Sequence, residues 1–332
     1  MRYFVTGTAG FIGFHLARRL LAEGHDVVGF DAVTDYYDVP LKRARLALLE
    51  KERGFTAVEA RLEDADRLEG AVAQARADVV VHLAAQAGVR YSLEHPQSYV
   101  QSNLVGTANL LEVVRLFPPQ HFIFASSSSV YGGNSKIPFS ETDRADAPVS
   151  LYAATKKAGE EMVHSYAHLW GLPATCVRLF TVYGQWGRPD MALFRFVEQM
   201  LAGKPIDVYG EGRMLRDFTF VDDVVEALVR LAERPPVVAK PLPHDSLSEV
   251  APFRTVNIAA GKPVQLLEFI RAIEAASGVR AELRMLPMQA GDVMATQADT
   301  RLLGALIGPM RQTGVADGVA RFVDWYREYY GK

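Results

Sequence analysis

Two side chains four residues apart, Tyr152 and Lys156, are the first candidates for chemistry in this 332-residue chain. The stretch around them is predicted to open a helix, so both lie on one helical face. An ordinary phenol has a pKa of about 10, too high for a base at neutral pH, but a neighbouring ammonium lowers it. Ser150 is the predicted N-cap, which places Tyr152 in the first turn, where the helix dipole favours negative charge. The pattern therefore predicts that Tyr152 is a general base assisted by Lys156.

A run of serines supports this interpretation, since a Tyr and a Lys at this spacing are usually ordinary surface residues. The serines, residues 126–129, directly follow the apolar stretch 122–125, which is typical of a buried strand. The carboxyl end of a parallel strand is where such sheets bind ligands. The serines are therefore expected where a ligand would bind.

A glycine-rich turn, residues 7–13, follows the β-rich stretch 2–6 and leads into an amphipathic segment, residues 14–23. Gly7 and Gly10 allow the backbone to turn and approach a pyrophosphate, and Gly13 lets the helix pack close to the sheet. A glycine triplet alone has many false positives. The order of strand, glycine turn and helix nevertheless predicts a dinucleotide site.

The second predicted strand, residues 26–30, ends in Asp31, eighteen residues after Gly13. A carboxylate at that place accepts hydrogen bonds from the ribose diol of an adenosine and repels a 2′-phosphate. The sequence therefore predicts NAD rather than NADP as the cofactor. The simpler explanation, that Asp31 only caps a strand, is disfavoured by the glycines that precede it.

Strands and helices alternate through the first 180 residues, which predicts an α/β fold with a Rossmann-type, doubly wound parallel sheet. Ligands bind such sheets at the carboxyl ends of the strands, and several candidates fall at those ends: Gly7, Asp31, Ala84, Ser127 and Thr181. The predicted strands are residues 2–6, 26–30, 56–59, 78–83, 122–125 and 174–179, and the predicted helices are residues 14–23, 41–52, 65–75, 97–116 and 152–170.

Beyond residue 180 the elements are shorter and turns are more frequent, which predicts a smaller, mixed α/β substrate lobe. Residues 1–180 are predicted to form the NAD-binding domain, part of 217–262 to return to it, and 181–332 to form mainly the substrate lobe. Either Asp222 or Asp223 is the expected N-cap of a helix at 224–233. Further predicted elements are helices at 192–201, 266–277 and 315–330, strands at 206–209 and 255–258, and a surface loop at 234–250.

Composition excludes several classes of protein. A net charge of −3 gives no reason to expect nucleic-acid or membrane binding. The single cysteine, Cys176, lies in an apolar stretch and excludes an internal disulfide. No signal peptide and no membrane-spanning apolar run is recognised, so a cytoplasmic location is expected. No metal site is predicted, because His164 and His168 have helical spacing but no third ligand.

The glycine turn, the strand-end serine and the Tyr152–Lys156 pair together resemble the extended short-chain dehydrogenase/reductase superfamily. The likeness covers essentially the whole chain and is strongest to nucleotide-sugar 4-epimerases, particularly those that act on UDP-glucuronate. The run Trp-Gly-Arg-Pro-Asp-Met at 186–191 discriminates best, and galactose-type epimerases usually have an Asn where this chain has Thr181. Further stretches that carry the likeness are residues 35–42, 87–92, 180–184 and 216–219.

The resemblance implies an NAD site and a UDP-sugar site. Arg61 stands where many relatives carry an adenine-binding Asp, so only Leu62 is expected to contact the adenine. The cofactor residues are expected to be Gly7, Gly10, Phe11, Ile12, Gly13, Asp31, Leu62, Leu83, Ala84, Ala85, Asn103, Ser126, Tyr152 and Lys156. The substrate residues are expected to be Arg188 and Arg216 at the diphosphate, Tyr209 at the uracil and Asp292 at the uridine ribose, with Arg90, Ser127, Ser128, Ser129 and Thr181.

The implied reaction is a 4-epimerisation without net redox. Tyr152 takes the proton of the sugar 4-hydroxyl while C4 passes hydride to NAD, Lys156 lowers the pKa of the phenol and binds the nicotinamide ribose, and Ser127 donates to the 4-oxygen. The keto sugar then rotates and takes the hydride back on its other face. The family usually forms homodimers through the helices near 97–116 and 152–170, so a homodimer is expected.

The residues after Ser127 distinguish a 4-epimerase from related dehydratases and decarboxylases. Relatives that remove water carry an Asp-Glu pair there, and UDP-glucuronate decarboxylases carry a Glu two positions on, whereas this chain has Ser128 and Ser129. Neither serine is a general acid near neutral pH. A 4-keto uronate can nevertheless lose CO₂ unaided. We hypothesise that Ser128, Ser129 and Thr181 hydrogen-bond the carboxylate and keep its C–C bond out of alignment with the π system of the keto group.

Two alternatives remain open from sequence. A UDP-glucose 4-epimerase would perform the same chemistry on a neutral sugar, and another nucleotide-sugar epimerase or decarboxylase is a further alternative. A non-catalytic NAD-binding regulatory protein is disfavoured, because such proteins typically lack the Tyr or the Lys, and both are present here.

Overall fold

The computed structural model describes residues 1–288 and 293–332. Asp292, the expected ribose ligand, lies outside these residues. The described strands are β1 (Arg2–Thr6), β2 (Asp26–Asp31), β3 (Phe55–Glu59), β4 (Val79–His82), β5 (His121–Ser127), β6 (Ala174–Leu179), β7 (Thr181–Tyr183), β8 (Ile206–Tyr209), β9 (Leu215–Arg216), β10 (Phe218–Phe220), β11 (Phe253–Ile258), β12 (Val264–Gln265) and β13 (Leu283–Leu286).

The described α-helices are α1 (Phe11–Ala22), α2 (Val39–Leu49), α3 (Ala65–Ala75), α4 (Tyr91–Glu94), α5 (Pro96–Tyr99), α6 (Gly106–Leu116), α7 (Leu151–Trp170), α8 (Ala192–Leu201), α9 (Val221–Ala232), α10 (Leu266–Ser277), α11 (Arg301–Ile307) and α12 (Val315–Tyr330). A π-helical stretch, Val100–Val105, joins α5 to α6, so the predicted helix at 97–116 is continuous but not uniformly α-helical. Short 3₁₀ helices lie at Ser128–Tyr131 and Gly210–Gly212.

The centre of the fold is a seven-stranded sheet in the order β11-β6-β5-β4-β1-β2-β3, and every pair in it is parallel. The order reverses direction between β1 and β4, which is the topological switch point of a doubly wound sheet. The predicted Rossmann-type α/β architecture is thereby confirmed. β11 comes from residues 253–258 and pairs with β6, so a late segment of the chain extends the sheet.

Alternation along the strands divides the core into two layers, because successive side chains point to opposite faces. Val5, Val81 and Ile123 belong to the layer with α1, α9 and α11. Phe4, Val80 and Phe122 belong to the layer with α3, α6 and α7. A third cluster lies among α8, α10 and α12 of the second lobe. Cys176 is buried in the second layer, as expected.

Two predicted helix starts are wrong, each by three residues. α1 begins at Phe11 because Gly10, with an extended backbone, is its N-cap, so the glycine turn runs directly into the first helical turn. α9 begins at Val221, so Asp222 and Asp223 lie inside its first turn and neither is the N-cap. Asp223 instead accepts hydrogen bonds from the Thr313 backbone N–H at 2.8 Å and hydroxyl at 2.9 Å.

Within the described ranges 1–288 and 293–332, no helix combines the length and apolar character that a membrane span requires.

We expect Gly159→Ala to destabilise the protein by about 1–3 kcal/mol, because a methyl group there overpacks the contact of α7 with β5. A Cβ at Gly159 would lie 2.4 Å from the Phe124 ring. Gly70→Ala in α3 is the matched control: it meets open space, so the helix propensity of Ala should raise stability by about 0.5–1 kcal/mol. Urea unfolding of both variants provides the measurement. Equal stabilities would contradict this close packing.

Candidate active site

A cleft opens at the carboxyl ends of the central strands and collects most of the predicted site residues. Its lining includes the predicted cofactor and catalytic residues Gly7, Gly10, Phe11, Ile12, Gly13, Asp31, Leu62, Leu83, Ala84, Ala85, Ser126, Ser127, Tyr152 and Lys156, and the predicted substrate residue Arg188. These residues are far apart in sequence. Parallel strands bring them together because their carboxyl ends share one edge of the sheet.

The glycine turn leaves no room for side chains. Gly7 has a φ of +82°, and a Cβ there would lie 2.8 Å from the backbone nitrogen of Ala84. A Cβ on Gly13 would lie 2.0 Å from the Gly7 carbonyl oxygen. The turn is therefore a cradle of backbone at the N-terminus of α1, the arrangement that accepts a diphosphate. The residues present fit a dinucleotide.

Asp31 both faces the cleft and shapes this turn. Its two carboxylate oxygens accept hydrogen bonds from the backbone N–H of Ala9 at 2.9 Å and of Val33 at 2.8 Å. Burial raises the pKa of Asp31, and these two hydrogen bonds oppose that shift. Each carboxylate oxygen has a second lone pair. The side chain can therefore accept a ribose hydroxyl while it holds the loop.

Tyr152 lies in the first turn of α7, where Ser150 caps the helix as predicted: its hydroxyl accepts from the Ala153 N–H at 3.1 Å. Burial raises the pKa of Tyr152, while hydrogen bonding by Ser127 and the charge of Arg188 lower it. The groups that favour a phenolate are therefore on β5 and in the turn after β7. They act from outside the helix that carries the tyrosine.

Lys156 is oriented differently from the expectation that it acts directly on the phenol. Its ammonium donates to the Ala125 carbonyl at 2.8 Å and lies 5.1 Å from the centre of the Phe124 ring. Because the side chain is buried, it needs an acceptor, and the end of β5 provides one. Burial lowers the pKa of Lys156 to about 8, so it remains mostly protonated at neutral pH.

A buried polar network that the sequence analysis missed supports the serines. Ser126 donates to Glu160 at 2.6 Å, and Glu160 forms a bidentate ion pair with Arg178 at 2.9 and 2.8 Å. The side chains of Arg178 and Glu160 are 3% and 2% exposed. The available signal was Arg178, a charged residue in the otherwise uncharged strand β6. The ion pair locks α7 against β5 and β6, and so sets where Tyr152 lies relative to Ser127.

Glu141 extends this network into the loop before α7. Its carboxylate accepts from the Asn257 N–H at 2.9 Å, and its carbonyl accepts from Arg178 at 3.2 Å. Asn257 in turn accepts from the Tyr131 hydroxyl at 2.7 Å. Burial raises the pKa of Glu141 to about 7. The loop is thereby attached to β6 and to β11.

Arg188 lines the cleft with its guanidinium bound to Asp190, at 3.0 and 2.5 Å. The Tyr36 hydroxyl also donates to Asp190, at 3.0 Å. Thr181 lines a smaller adjoining cavity that shares Phe11, Val182, Arg188 and Met191 with the main cleft. Arg188 therefore lines the same cleft as the catalytic candidates, whereas Thr181 lines only the adjoining cavity.

Within the part of the chain that the structure describes, the remaining candidates are not among the residues that line the cleft. Arg90 is stacked 5.0 Å over the ring of Tyr209, and Arg216 donates to the Leu215 carbonyl at 2.9 Å. Ser128 and Ser129 form the start of the 3₁₀ helix at Ser128–Tyr131, and the Ser127 hydroxyl donates to that of Ser129 at 3.2 Å.

Asn103 is buried and exchanges hydrogen bonds with the Gln86 backbone at 2.8 and 3.0 Å. It also donates to Thr155 at 3.0 Å. Its side chain therefore supports the cleft wall that follows β4. The binding roles assigned to all these residues stay predictions.

The fold and this site define the class of protein. Residues 3–274 match the model of the NAD dependent epimerase/dehydratase family, and the chain belongs to that family. It is 57% identical over 334 residues to a probable UDP-glucuronate 4-epimerase of Rhizobium meliloti, covering 99% of this chain and 98% of the relative. It is 45% identical to UDP-glucuronate 4-epimerase 1 of Arabidopsis thaliana, covering 98% of this chain and 77% of the relative.

A solved structure agrees with these relatives. The UDP-glucuronic acid 4-epimerase of Bacillus cereus, crystallised with UDP-glucuronic acid and NAD, matches with a TM-score of 0.89 and 33% identity, over 99% of this chain and 100% of that one. The expected superfamily is thereby confirmed.

The raised pKa of Glu141 predicts a pH-dependent stability. Its ordinary value of 4.5 rises to about 7 in the folded protein, so its contribution to stability is complete below pH 4.5 and is lost as the pH rises through 7. Between pH 4.5 and 8 the wild type should lose about 2–3 kcal/mol of unfolding free energy relative to Glu141→Gln. Urea unfolding at several pH values provides the measurement. Glu161→Gln, at an exposed position on α7, is the control, and parallel pH curves for wild type and Glu141→Gln would refute the prediction.

Proposed function

We propose that the protein is a UDP-glucuronate 4-epimerase that interconverts UDP-glucuronate and UDP-galacturonate through a transient 4-keto sugar, with NAD held in the cleft. The main support for the proposal is that Ser127, Tyr152 and Lys156 line the same cleft as the glycine turn. The identity of 57% to a probable UDP-glucuronate 4-epimerase supports the choice of substrate.

In the proposed mechanism, Tyr152 transfers the proton, while Ser127 and Lys156 orient and stabilise the reacting groups. Tyr152, as phenolate, removes the proton of the sugar 4-hydroxyl, and Ser127 donates a hydrogen bond to the same oxygen. Lys156, fixed by the Ala125 carbonyl, adds positive charge near the reacting centre. NAD, when bound, supplies the reversible oxidation of C4. The proton returns from Tyr152 to the 4-oxygen when the keto sugar is reduced on its other face.

Substrate binding must be firm at the UDP and loose at the hexose, because the sugar has to rotate between the two half-reactions. We assign Arg188 and Arg216 to the diphosphate, Tyr209 to the uracil, and Asp292 to the uridine ribose. Arg188 would exchange its contact with Asp190 for a ligand anion. Arg90, which stacks on Tyr209, would close this end of the site.

Retention of the carboxylate is assigned to neutral hydroxyl groups. Ser128, Ser129 and Thr181 would hold the uronate carboxylate by hydrogen bonds, without a carboxylic acid that could assist loss of CO₂. Ser129 already bonds Ser127 through its backbone N–H at 3.2 Å, which places both at the carboxyl end of β5. The proposed arrangement keeps the bond to the carboxylate in the plane of the keto group, where it does not overlap the carbonyl π system and loss of CO₂ is slow.

The assembly is proposed to be a homodimer, with residues 1–180 holding NAD and residues 181–332 holding mainly the sugar nucleotide. Helices α6 and α7 lie side by side and expose large apolar side chains at their ends: Val105, Leu116, Phe117, Leu169 and Trp170, with exposed fractions of 39–62%. Burial of such a patch against its copy would stabilise a two-fold pair. A cytoplasmic location also stays a prediction.

The proposed activity is tested by an NMR time course of the anomeric protons of UDP-glucuronate with catalytic NAD. Wild type should form UDP-galacturonate without accumulating NADH. Tyr152→Phe should lower kcat by about 10²–10⁴-fold, because the proton acceptor is lost, while UDP still binds. Tyr166→Phe, at a partly exposed position on the same helix, is the control and should be fully active.

Other products would contradict the proposal in distinct ways. Release of a UDP-pentose or its 4-keto form would make the protein a decarboxylase. Turnover of UDP-glucose, with none of UDP-glucuronate, would make it a UDP-glucose 4-epimerase. Absence of turnover with both sugars would favour the non-catalytic reading.

The homodimer is tested with Leu169→Asp, which puts a charge into the proposed apolar interface at a side chain that is 62% exposed. Light scattering after gel filtration should show the mass of a dimer for wild type and of a single chain for this variant. Val237→Asp, in an exposed loop outside α6 and α7, should stay dimeric. A monomeric wild type would refute the assembly.

A further inference from the structure

Arg45, on α2, is the largest fully buried side chain in the described residues and has no role in the mechanism above. Its exposed fraction is 0%, although its guanidinium is charged. Its hydrogen-bond partners are all neutral: the Ala9 carbonyl at 2.8 Å, the Tyr37 hydroxyl at 2.9 Å, and the Trp186 and Gly187 carbonyls at 2.6 and 3.1 Å. The charge of Asp31 acts on Arg45 from nearby. Burying a cation whose hydrogen bonds go to neutral groups nevertheless remains costly, so its position needs an explanation.

The partners come from separate segments of the chain: Ala9 from the glycine turn, and Trp186 and Gly187 from the turn that precedes Arg188. Ala9 is part of the glycine turn, and its own N–H is bound by Asp31. The Ala9 residue is thus fixed at both ends, by Asp31 through the N–H and by Arg45 through the carbonyl. Nη1 of Arg45 bonds the glycine turn, on the proposed dinucleotide side of the site, and Nη2 bonds the turn before Arg188, on the proposed substrate side.

The substrate side is a strained turn that leads directly to Arg188. Trp186 has a φ of +57°, a left-handed conformation that costs a non-glycine residue about 1–2 kcal/mol. Its carbonyl is bound by Arg45, and its ring packs on Phe14 of α1 at 5.4 Å and on Trp325 of α12 at 5.3 Å. These contacts hold the turn in place, and the turn sets where Arg188 enters the cleft.

We propose that Arg45 is a positioning residue that couples the two halves of the site, so that binding of NAD and binding of the sugar nucleotide strengthen each other. The inference rests on the proposed function, because it assumes that both ligands share the cleft. Two diphosphates placed near one another repel, so mutual strengthening requires a shared element. The planar guanidinium provides one: a cation that bonds the backbone of both halves at fixed geometry.

The experiment follows exchange of bound NAD for deuterated NAD on the purified holoenzyme by mass spectrometry, with and without saturating UDP. In wild type, UDP should slow NAD release by at least about fivefold, because coupling is reciprocal. Arg45→Met, which removes the charge and all four contacts, should reduce this effect to below about twofold. Arg45→Lys keeps the charge but cannot bond both backbones in the same geometry, and should lose most of the effect.

Arg43→Met is the matched control, since Arg43 lies on the same helix, is exposed, and is paired with Glu59. It should retain the full effect of UDP. If folded Arg45→Met and Arg45→Lys keep the full effect, the proposal is overturned. If the wild type binds NAD and UDP without mutual influence, the proposal also fails while the proposed function stands. A wild type that binds neither ligand refutes both.

A measurement on the wild type alone covers the case in which both variants fail to fold. Hydrogen exchange of the 184–188 turn should slow on loading with NAD, and exchange of the 7–13 turn should slow on adding UDP. Protection confined in each case to the side that holds the ligand would overturn the proposal.

Discussion

The close approach of backbone to backbone at the glycine turn is the constraint on which the rest of the site depends. α1 can follow β1 within a few residues only because Gly7 and Gly13 carry no side chain where the turn, the helix and the segment after β4 meet. This contact positions the N-terminus of α1 over the sheet edge. It also places Ala9 between Asp31 and Arg45, so cofactor and substrate residues are built around the same few peptide groups.

The buried charged residues of this protein hold backbone segments in place more than they stabilise the fold. The Glu160–Arg178 ion pair lies behind Ser126, and Arg45 lies behind the glycine turn. Both are buried, and such groups contribute little net stability once their desolvation is counted. Their value is geometric: a bidentate pair and a planar fork each allow one arrangement of the backbones they join. The reacting groups in front of them are held accordingly.

In the proposed chemistry the phenol of Tyr152 must give up and take back a proton at neutral pH, although its burial opposes ionisation. Burial raises the pKa of Tyr152, and the opposing influences come from Ser127 and Arg188. Lys156 is held by the Ala125 carbonyl and keeps its charge at neutral pH even though burial lowers its pKa to about 8. The balance therefore depends on three separate chain segments, which the sheet and the turn after β7 bring together.

By itself, the sequence determined the alternation of elements, the parallel sheet and the positions of the glycine turn, Asp31, the serines and the Tyr152–Lys156 pair. These depend on local periodicity and on the order in which several motifs follow predicted strands. Tertiary structure decided the rest. The start of α9, the orientation of Lys156 and the partner of Arg188 depend on groups far away in the chain. The roles of Glu160, Arg178 and Arg45 escaped notice because a charged residue in a helix or strand is usually exposed, and only packing shows that it is buried.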